Sequence, residues 1–453
     1  MLRSLIRNIS YSFVAGICLV FLLPSCSMQK RTVARSAKED VLNTPALSSA
    51  HVGITIFDPA SGKYLFDHQG EKYFVPASNT KIPTCYSAMK FLGDSLVGLK
   101  YVSLGGAASK DIWIQATGDP TLLHPDFPKQ PVIDFLRKDT SINFVLAGNS
   151  PWRDEAYGSG WSWNDYADDY MAERSVMPVY GNVIRFYGSE AGMNIIPRNI
   201  ELGNAHGNES TAPFVYSSRK YSLSRTREKN LFLWESSTND FKYQEIPFIT
   251  SQQQSVALLK DSLRGLRLTS QSNITLTRPK LIHTQPTDSL LSLMMHRSDN
   301  FFAEQSLLMV SNEELGYMND ASIIDTLLKS VFRDLPQQPR WVDGSGLSRY
   351  NLFSPRDLVF ILDKIRKEFG MERVKAIFPT GDKGTLRNYY KAEQGSIYAK
   401  TGTLAGVVAI SGYLYTRQNR LLLFSVLVNN HRSSATEIRR AVEKFIEVVW
   451  KKY

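Results

Sequence analysis

Cysteine and histidine are scarce in this chain, three and seven respectively in 453 residues. Cys18 and Cys26 lie at the extreme N-terminus, so Cys85 is the one thiol of the chain body, where no disulfide framework can then form. Cys85 falls on an apolar segment and reads as a buried structural thiol. The histidines are scattered with no close His/Cys/Asp grouping of ligand spacing, and neither a metal nor another cofactor is expected. Zinc-finger spacing, aromatic-interleaved basic tracts and internal repeats are missing too. The net charge of +10 is interspersed with Asp and Glu throughout. That pattern argues against nucleic acid as a partner and suits an anionic membrane or polymer surface. What remains is globular: 43% hydrophobic and 21% charged, long enough for two or three domains.

The N-terminus carries an address. Arg3 and Arg7 precede an apolar run from Tyr11 to Leu23, too short for a comfortable membrane span and arranged as an export signal. Leu23-Pro24-Ser25-Cys26 resembles the lipoprotein signal-peptidase box. The resemblance implies a signal peptide over 1–26, lipid on Cys26 and a membrane-anchored, periplasm-facing protein. A plain secretory signal cut near Ser25 is the other reading, and both export the chain. Residues 27–45 are polar and basic and read as a tether, with folded structure expected from near Ala50.

Beyond the tether, His51 to Phe57 and Lys63 to Phe66 flank the turn Asp58-Pro59-Ala60-Ser61-Gly62 and predict a hairpin. A helix is expected from near Ser78, with Ile82, Tyr86, Met89 and Leu92 on one stripe. Pro83 conflicts with that start, because it removes an N–H that an interior helical position needs. At the other end, Ala405 to Tyr415 and Leu421 to Val428 predict a second hairpin. A capped helix follows, with Ser434 and Glu437 as its box and Ile438, Ala441, Val442, Phe445, Ile446 and Val449 as its buried face. Two hairpins and terminal helices imply an α+β domain, an antiparallel sheet flanked by helices, formed by 46–99 and 276–453. Residues 100–275 are rich in Gly, Ser, Asn, Tyr and short β-prone pieces, and read as a mostly β insertion of up to two subdomains.

Three strings carry chemistry. Ser78 and Lys81, three apart, share a face if helical, and a lysine desolvated in such a place can act as base for the serine. Ser298-Asp299-Asn300 follows a helical pattern containing Leu290, Leu291, Met294 and Met295; its hydroxyl and amide suit proton relay and carbonyl binding, with Asp299 structural. Lys400-Thr401-Gly402-Thr403 opens a β-rich segment, where a cation and hydroxyls can hold a carboxylate and Gly402 permits close backbone approach. The Thr403 amide can serve as an oxyanion donor opposite that of Ser78. Each string alone is more simply a cap, turn or strand end.

In this order and spacing the strings resemble the serine penicillin-binding proteins and their β-lactamase relatives. Val75-Pro76-Ala77-Ser78, Gly118-Asp119-Pro120-Thr121, Arg297 with Ala303-Glu304, Asp343-Gly344-Ser345-Gly346-Leu347-Ser348-Arg349, Gly384-Thr385-Leu386 and Trp161-Ser162-Trp163-Asn164-Asp165 narrow it. They resemble the D-alanyl-D-alanine carboxypeptidase/endopeptidase family that includes the low-molecular-mass class C penicillin-binding proteins, over about residues 45–450. The resemblance implies a penicillin-binding-protein/serine β-lactamase-like domain with a large insertion. It makes Ser78 the acylated nucleophile, Lys81 the base and Ser298 the proton relay. Asn300, Lys400, Thr401, Gly402 and Thr403 bind substrate, while Asp343 and Arg349 support the loops. It also implies peptidoglycan stem peptides and cross-links as substrates, and β-lactams as acylating inhibitors. A β-lactamase and a non-catalytic peptidoglycan-binding lipoprotein are the alternatives. His296 reads as a helix-end histidine.

Overall fold

The computed structural model describes residues 30–103, 110–147, 151–189, 192–198, 200–204, 220–271 and 275–453. The export signal and Cys26 lie outside the described residues. The chain divides into two compact units. One takes the chain up to Asn79 with Leu335–Pro339 and Leu352–Tyr453; the other takes Thr80–Asp334 and Arg340–Asn351.

The first unit is built on a five-stranded antiparallel sheet. Its order is Ile397–Leu404, Val407–Tyr415, Leu421–Asn429, His51–Asp58, Lys63–His68, so the first and last segments of the unit share one sheet. Val407–Tyr415 and the central Leu421–Asn429 read as largely apolar runs because both of their faces are covered, Val407–Tyr415 being buried at all but its last residue. On one face lies the C-terminal helix Ala435–Lys452, which presents Ile438, Val442, Phe445, Ile446 and Val449 to Ile54, Ile56, Ala399, Phe424 and Val426. Its N-cap is Ser434, whose hydroxyl accepts the Glu437 N–H at 3.2 Å. On the other face, Tyr413 donates to the Leu362 carbonyl of the helix Pro355–Ile377 at 2.8 Å.

The tether expected over 27–45 is, from residue 30, part of this unit's core. Residues 30–42 are helical, the last six as a π-helix, Ala37–Leu42. Val33, Ala37 and Val41, four residues apart, form a fully buried stripe in the same cluster as the C-terminal helix. The segment looks like a linker by composition because that stripe uses small residues and most of the other positions are polar. Asp40 also pairs with Lys444 of the C-terminal helix at 2.8 Å.

The second unit contains the helices Lys81–Phe91, Thr287–Arg297, Asn300–Leu315 and Asp320–Lys329, and a β-rich insertion. Asn300–Leu315 is buried continuously from Phe301 to Asn312, which is why its sequence shows no polar face. The insertion holds a five-stranded mixed sheet and two three-stranded sheets. Its stem is the antiparallel pairing of Ser95–Ser103 with Lys280–Pro286. It is not free of helix: Pro131–Arg137 and Gln252–Ser262 pack their apolar residues into its core beside Phe144, Ile184 and Leu268. Both are short, seven and eleven residues, which is what hid them among β-prone neighbours.

Candidate active site

Ser78 does not begin the helix. It lies in a 3-10 turn, Ala77–Thr80, and the helix proper is Lys81–Phe91. This later start removes the conflict with Pro83, which now occupies the third helical position, where an N–H has no intrahelical acceptor. Cys85 is buried within that helix.

The turn is held from several sides within its own unit. Phe74 and Phe353 exchange backbone hydrogen bonds at 2.9 and 3.0 Å. The side-chain amide of Asn429 accepts from the Val75 N–H at 2.7 Å and donates to the Val75 carbonyl at 3.0 Å. Ala77 then takes a left-handed backbone, φ 47°, an unfavourable conformation for a residue with a Cβ. So Ser78 follows a strained residue whose flanks are tied to the sheet.

Lys400-Thr401-Gly402-Thr403 lies in mid-strand rather than at a strand start: the strand begins at Ile397 and turns at Ala405-Gly406, since Leu404 pairs with Val407. This strand is one of the two outer strands of its sheet. Ala399 donates its N–H outward, to the Pro379 carbonyl at 3.1 Å. Backbone groups alternate sides along a strand, so the amides of Thr401 and Thr403 point to the same outer edge. Side chains alternate faces likewise: Ile397 and Ala399 face the C-terminal helix, and Thr401 and Thr403 share that face, while Lys400 and Gly402 take the opposite one. Lys400 is fully buried and its ammonium donates to the Thr401 carbonyl at 2.7 Å. The Thr403 hydroxyl accepts from Arg439 Nη2 at 2.6 Å. A Cβ on Gly402 would lie 2.8 Å from the Pro76 carbonyl oxygen and 2.9 Å from Ser78 N. Only glycine lets this strand come so close to the Ser78 turn.

The other unit places Asn300 and Ser345 against Lys81. This lysine is fully buried, and its Nζ donates to Asn300 Oδ1 at 2.7 Å and to the Ser345 carbonyl at 2.8 Å. Burial pushes its pKa down to about 8, against the opposing pull of Asp343, Asp299 and Glu304. Asn300 also donates to the Tyr170 carbonyl at 3.1 Å. Ser298 closes the helix Thr287–Arg297 in a left-handed conformation, φ 62°, and Asp299 caps the next helix by accepting the Phe302 N–H at 2.9 Å. Asp299 is therefore structural, as expected. His296 is half-buried, which lowers its pKa.

The loop that holds Ser345 against Lys81 is tied by Asp343. Its buried carboxylate accepts from the N–H groups of Gly346 and Ser348, from Asn351 Nδ2 and from the Trp161 indole at 2.9 Å. Glu304 accepts the Ser345 N–H at 2.7 Å, and burial beside Asp343 raises its pKa. Behind it sits Arg174, 1% exposed, paired to Asp320 at 2.6 Å, Asp154 at 3.0 Å and Glu304 at 3.4 Å. Arg174, Asn429 and Arg439 are the residues that motif reading misses. Their partners lie far away in sequence, and no local pattern announces them.

Chemically, one unit presents a strained serine turn beside an open strand edge, and the other a buried, depressed-pKa lysine in a hydrogen-bonded pocket. These are parts for acyl transfer to serine, on an α+β architecture of the penicillin-binding-protein/serine β-lactamase type with an added β-rich insertion. The model of the D-Ala-D-Ala carboxypeptidase 3 (S13) family matches residues 34–202 and 268–449. Among curated proteins, a D-alanyl-D-alanine carboxypeptidase of an Actinomadura species is 24% identical over 91% of this chain and 84% of its own length. The D-alanyl-D-alanine carboxypeptidase DacB of Haemophilus influenzae is 23% identical over 86% and 87%. The crystal structure of penicillin binding protein 4 (dacB) from Haemophilus influenzae superposes with a TM-score of 0.69 at 18% identity, covering 91% of this chain and 97% of that one. The chain belongs to the D-Ala-D-Ala carboxypeptidase 3 (S13) family. It is a serine-type D-Ala-D-Ala carboxypeptidase/endopeptidase of the low-molecular-mass penicillin-binding class, acting on peptidoglycan and binding β-lactams.

Proposed function

We propose that Ser78 is the nucleophile of this activity and Lys81 its general base. The hydroxyl of Ser78 attacks the carbonyl carbon between two D-configured residues as its proton passes to neutral Lys81. The oxyanion is held by the amide of Ser78 and the outward amide of Thr403. Ser298 relays a proton to the amine as the C–N bond breaks, and D-alanine or a cross-bridging amine leaves. Water then attacks the acyl-enzyme and frees Ser78. Asn300 receives the peptide beside the acyl bond, and Lys400, Thr401 and Gly402 line the edge where the leaving residue's carboxylate binds.

The observation that supports this assignment best is Lys81. Its ammonium is buried and fixed by two oxygen acceptors, yet its pKa stands at about 8. Near neutral pH a usable fraction is the free base, poised on the turn of chain that follows Ser78. A peptide ending in D-Ala-D-Ala tests the assignment: the parent releases D-alanine, and Ser78→Ala and Lys81→Met release none above background. Release by Ser78→Ala at the parental rate would refute it.

We also propose that the mature protein is exported to the bacterial cell envelope, faces the periplasm and is anchored by lipid on Cys26. The leader's basic start, apolar run and Leu23-Pro24-Ser25-Cys26 box support this reading. Incorporation of labelled palmitate into the parent and not into Cys26→Ala is the expected result; equal labelling, or none in either, would contradict it.

A further inference from the structure

The open edge of the Ile397–Leu404 strand has a cation on each side of it. Lys400 rises from one face; from the other, where the C-terminal helix packs, Arg439 reaches the Thr403 hydroxyl at 2.6 Å. Arg439 is half-buried, and its guanidinium lies 6.0 Å from the Tyr389 ring centroid. Among the described residues it has no carboxylate partner, whereas its neighbour Arg440 is paired with Glu443. Guanidinium carries five donors, and the contact with Thr403 uses one. By accepting from Arg439, Thr403 is also left to donate its own O–H elsewhere. A cation without counter-charge beside an edge of outward amides and hydroxyls is arranged to receive an anion.

We propose that Arg439 is a specificity-determining residue that binds the α-carboxylate of the leaving residue, together with Lys400 and the hydroxyl of Thr403. The enzyme then selects peptides whose leaving residue keeps a free α-carboxylate over those in which it is amidated or esterified. This rests on the reading of Ser78 and the strand edge as the acyl-transfer site. Planar guanidinium matches a carboxylate with two parallel hydrogen bonds, which the point charge of Lys400 cannot do alone.

The test compares Ser78 acylation by benzylpenicillin, whose carboxylate stands for that of the leaving residue, with acylation by its methyl ester, both followed by intact mass. Arg439→Gln is the variant of choice because glutamine can still donate to Thr403 while the charge is gone. The parent prefers the acid; in Arg439→Gln that preference shrinks about tenfold, and Arg439→Lys restores part of it. An unchanged preference overturns the proposal, whether both rates fall together, as loss of Thr403 support alone would produce, or neither moves. A parent acylated by neither compound fails the underlying Ser78 reading, and this proposal with it.

Discussion

Gly402→Ala is the smallest change that should disable this protein without touching a reacting group. The new Cβ would lie 2.8 Å from the Pro76 carbonyl oxygen, 2.9 Å from Ser78 N and 3.0 Å from the Ala77 Cβ. All three are backbone or backbone-attached atoms, so no flexible side chain can swing away. Ordinary contact needs roughly half an ångström more, and either the strand or the serine turn must supply it. The turn has little freedom, being pinned by Asn429 on Val75 and by Phe353 on Phe74. Overpacking of this kind costs about 1–3 kcal/mol. The effect on chemistry is larger in proportion, because a misplacement of ~1 Å can cost about 100-fold in rate and this shift is about half that. The expected result is a fall in the benzylpenicillin acylation rate of about 10- to 100-fold, with a melting temperature lowered by only a few degrees. Acylation within twofold of the parent would show that the close approach does not matter, and the reasoning about Gly402 would fail.

The base should announce itself in the pH profile. With Lys81 as the proposed base its neutral form is the active one, so acylation should rise about tenfold per pH unit below pH 8 and level off above it. Asn300→Asp would put a carboxylate 2.7 Å from that ammonium, favour its charged form and move the profile up by about one unit or more; a profile that stays put counts against Lys81 as the titrating group. Arg174→Met strands Asp154, Asp320 and Glu304 without their buried cation, and should cost about 3–5 kcal/mol, read as a melting point lower by on the order of 10 °C. A chain starting at residue 45 loses the Val33, Ala37 and Val41 stripe. It should be less stable than one starting at 27 by on the order of 5 kcal/mol, whereas equal melting points would make 30–42 a mere linker.

Much of the fold and of the proposed site was legible because the residues proposed for the chemistry sit in short, local strings. Ser78 to Lys81, Ser298 to Asn300 and Lys400 to Thr403 are contiguous, and the hairpins and the C-terminal helix advertise themselves by alternation, turn residues and caps. The exact start of the lysine helix was not legible, although Pro83 pointed to the difficulty that the 3-10 turn resolves. The helix over 30–42 hid because its buried stripe is Val, Ala and Val rather than large apolar residues. Its partner, the C-terminal helix, lies some 400 residues away. The supports escaped for the same reason. Arg174 is explained by residues at 154, 304 and 320, Asn429 by Val75 and Arg439 by Thr403, and nothing near any of them in sequence distinguishes it from a surface residue.

The central claim is that Ser78 becomes covalently acylated. Intact mass of the soluble chain, residues 27–453, taken over minutes after adding benzylpenicillin and followed by peptide mapping, tests it most directly. The account predicts one adduct per chain, mapped to the peptide containing Ser78 and absent from Ser78→Ala. An adduct on another residue, or one that persists undiminished in Ser78→Ala, would contradict it.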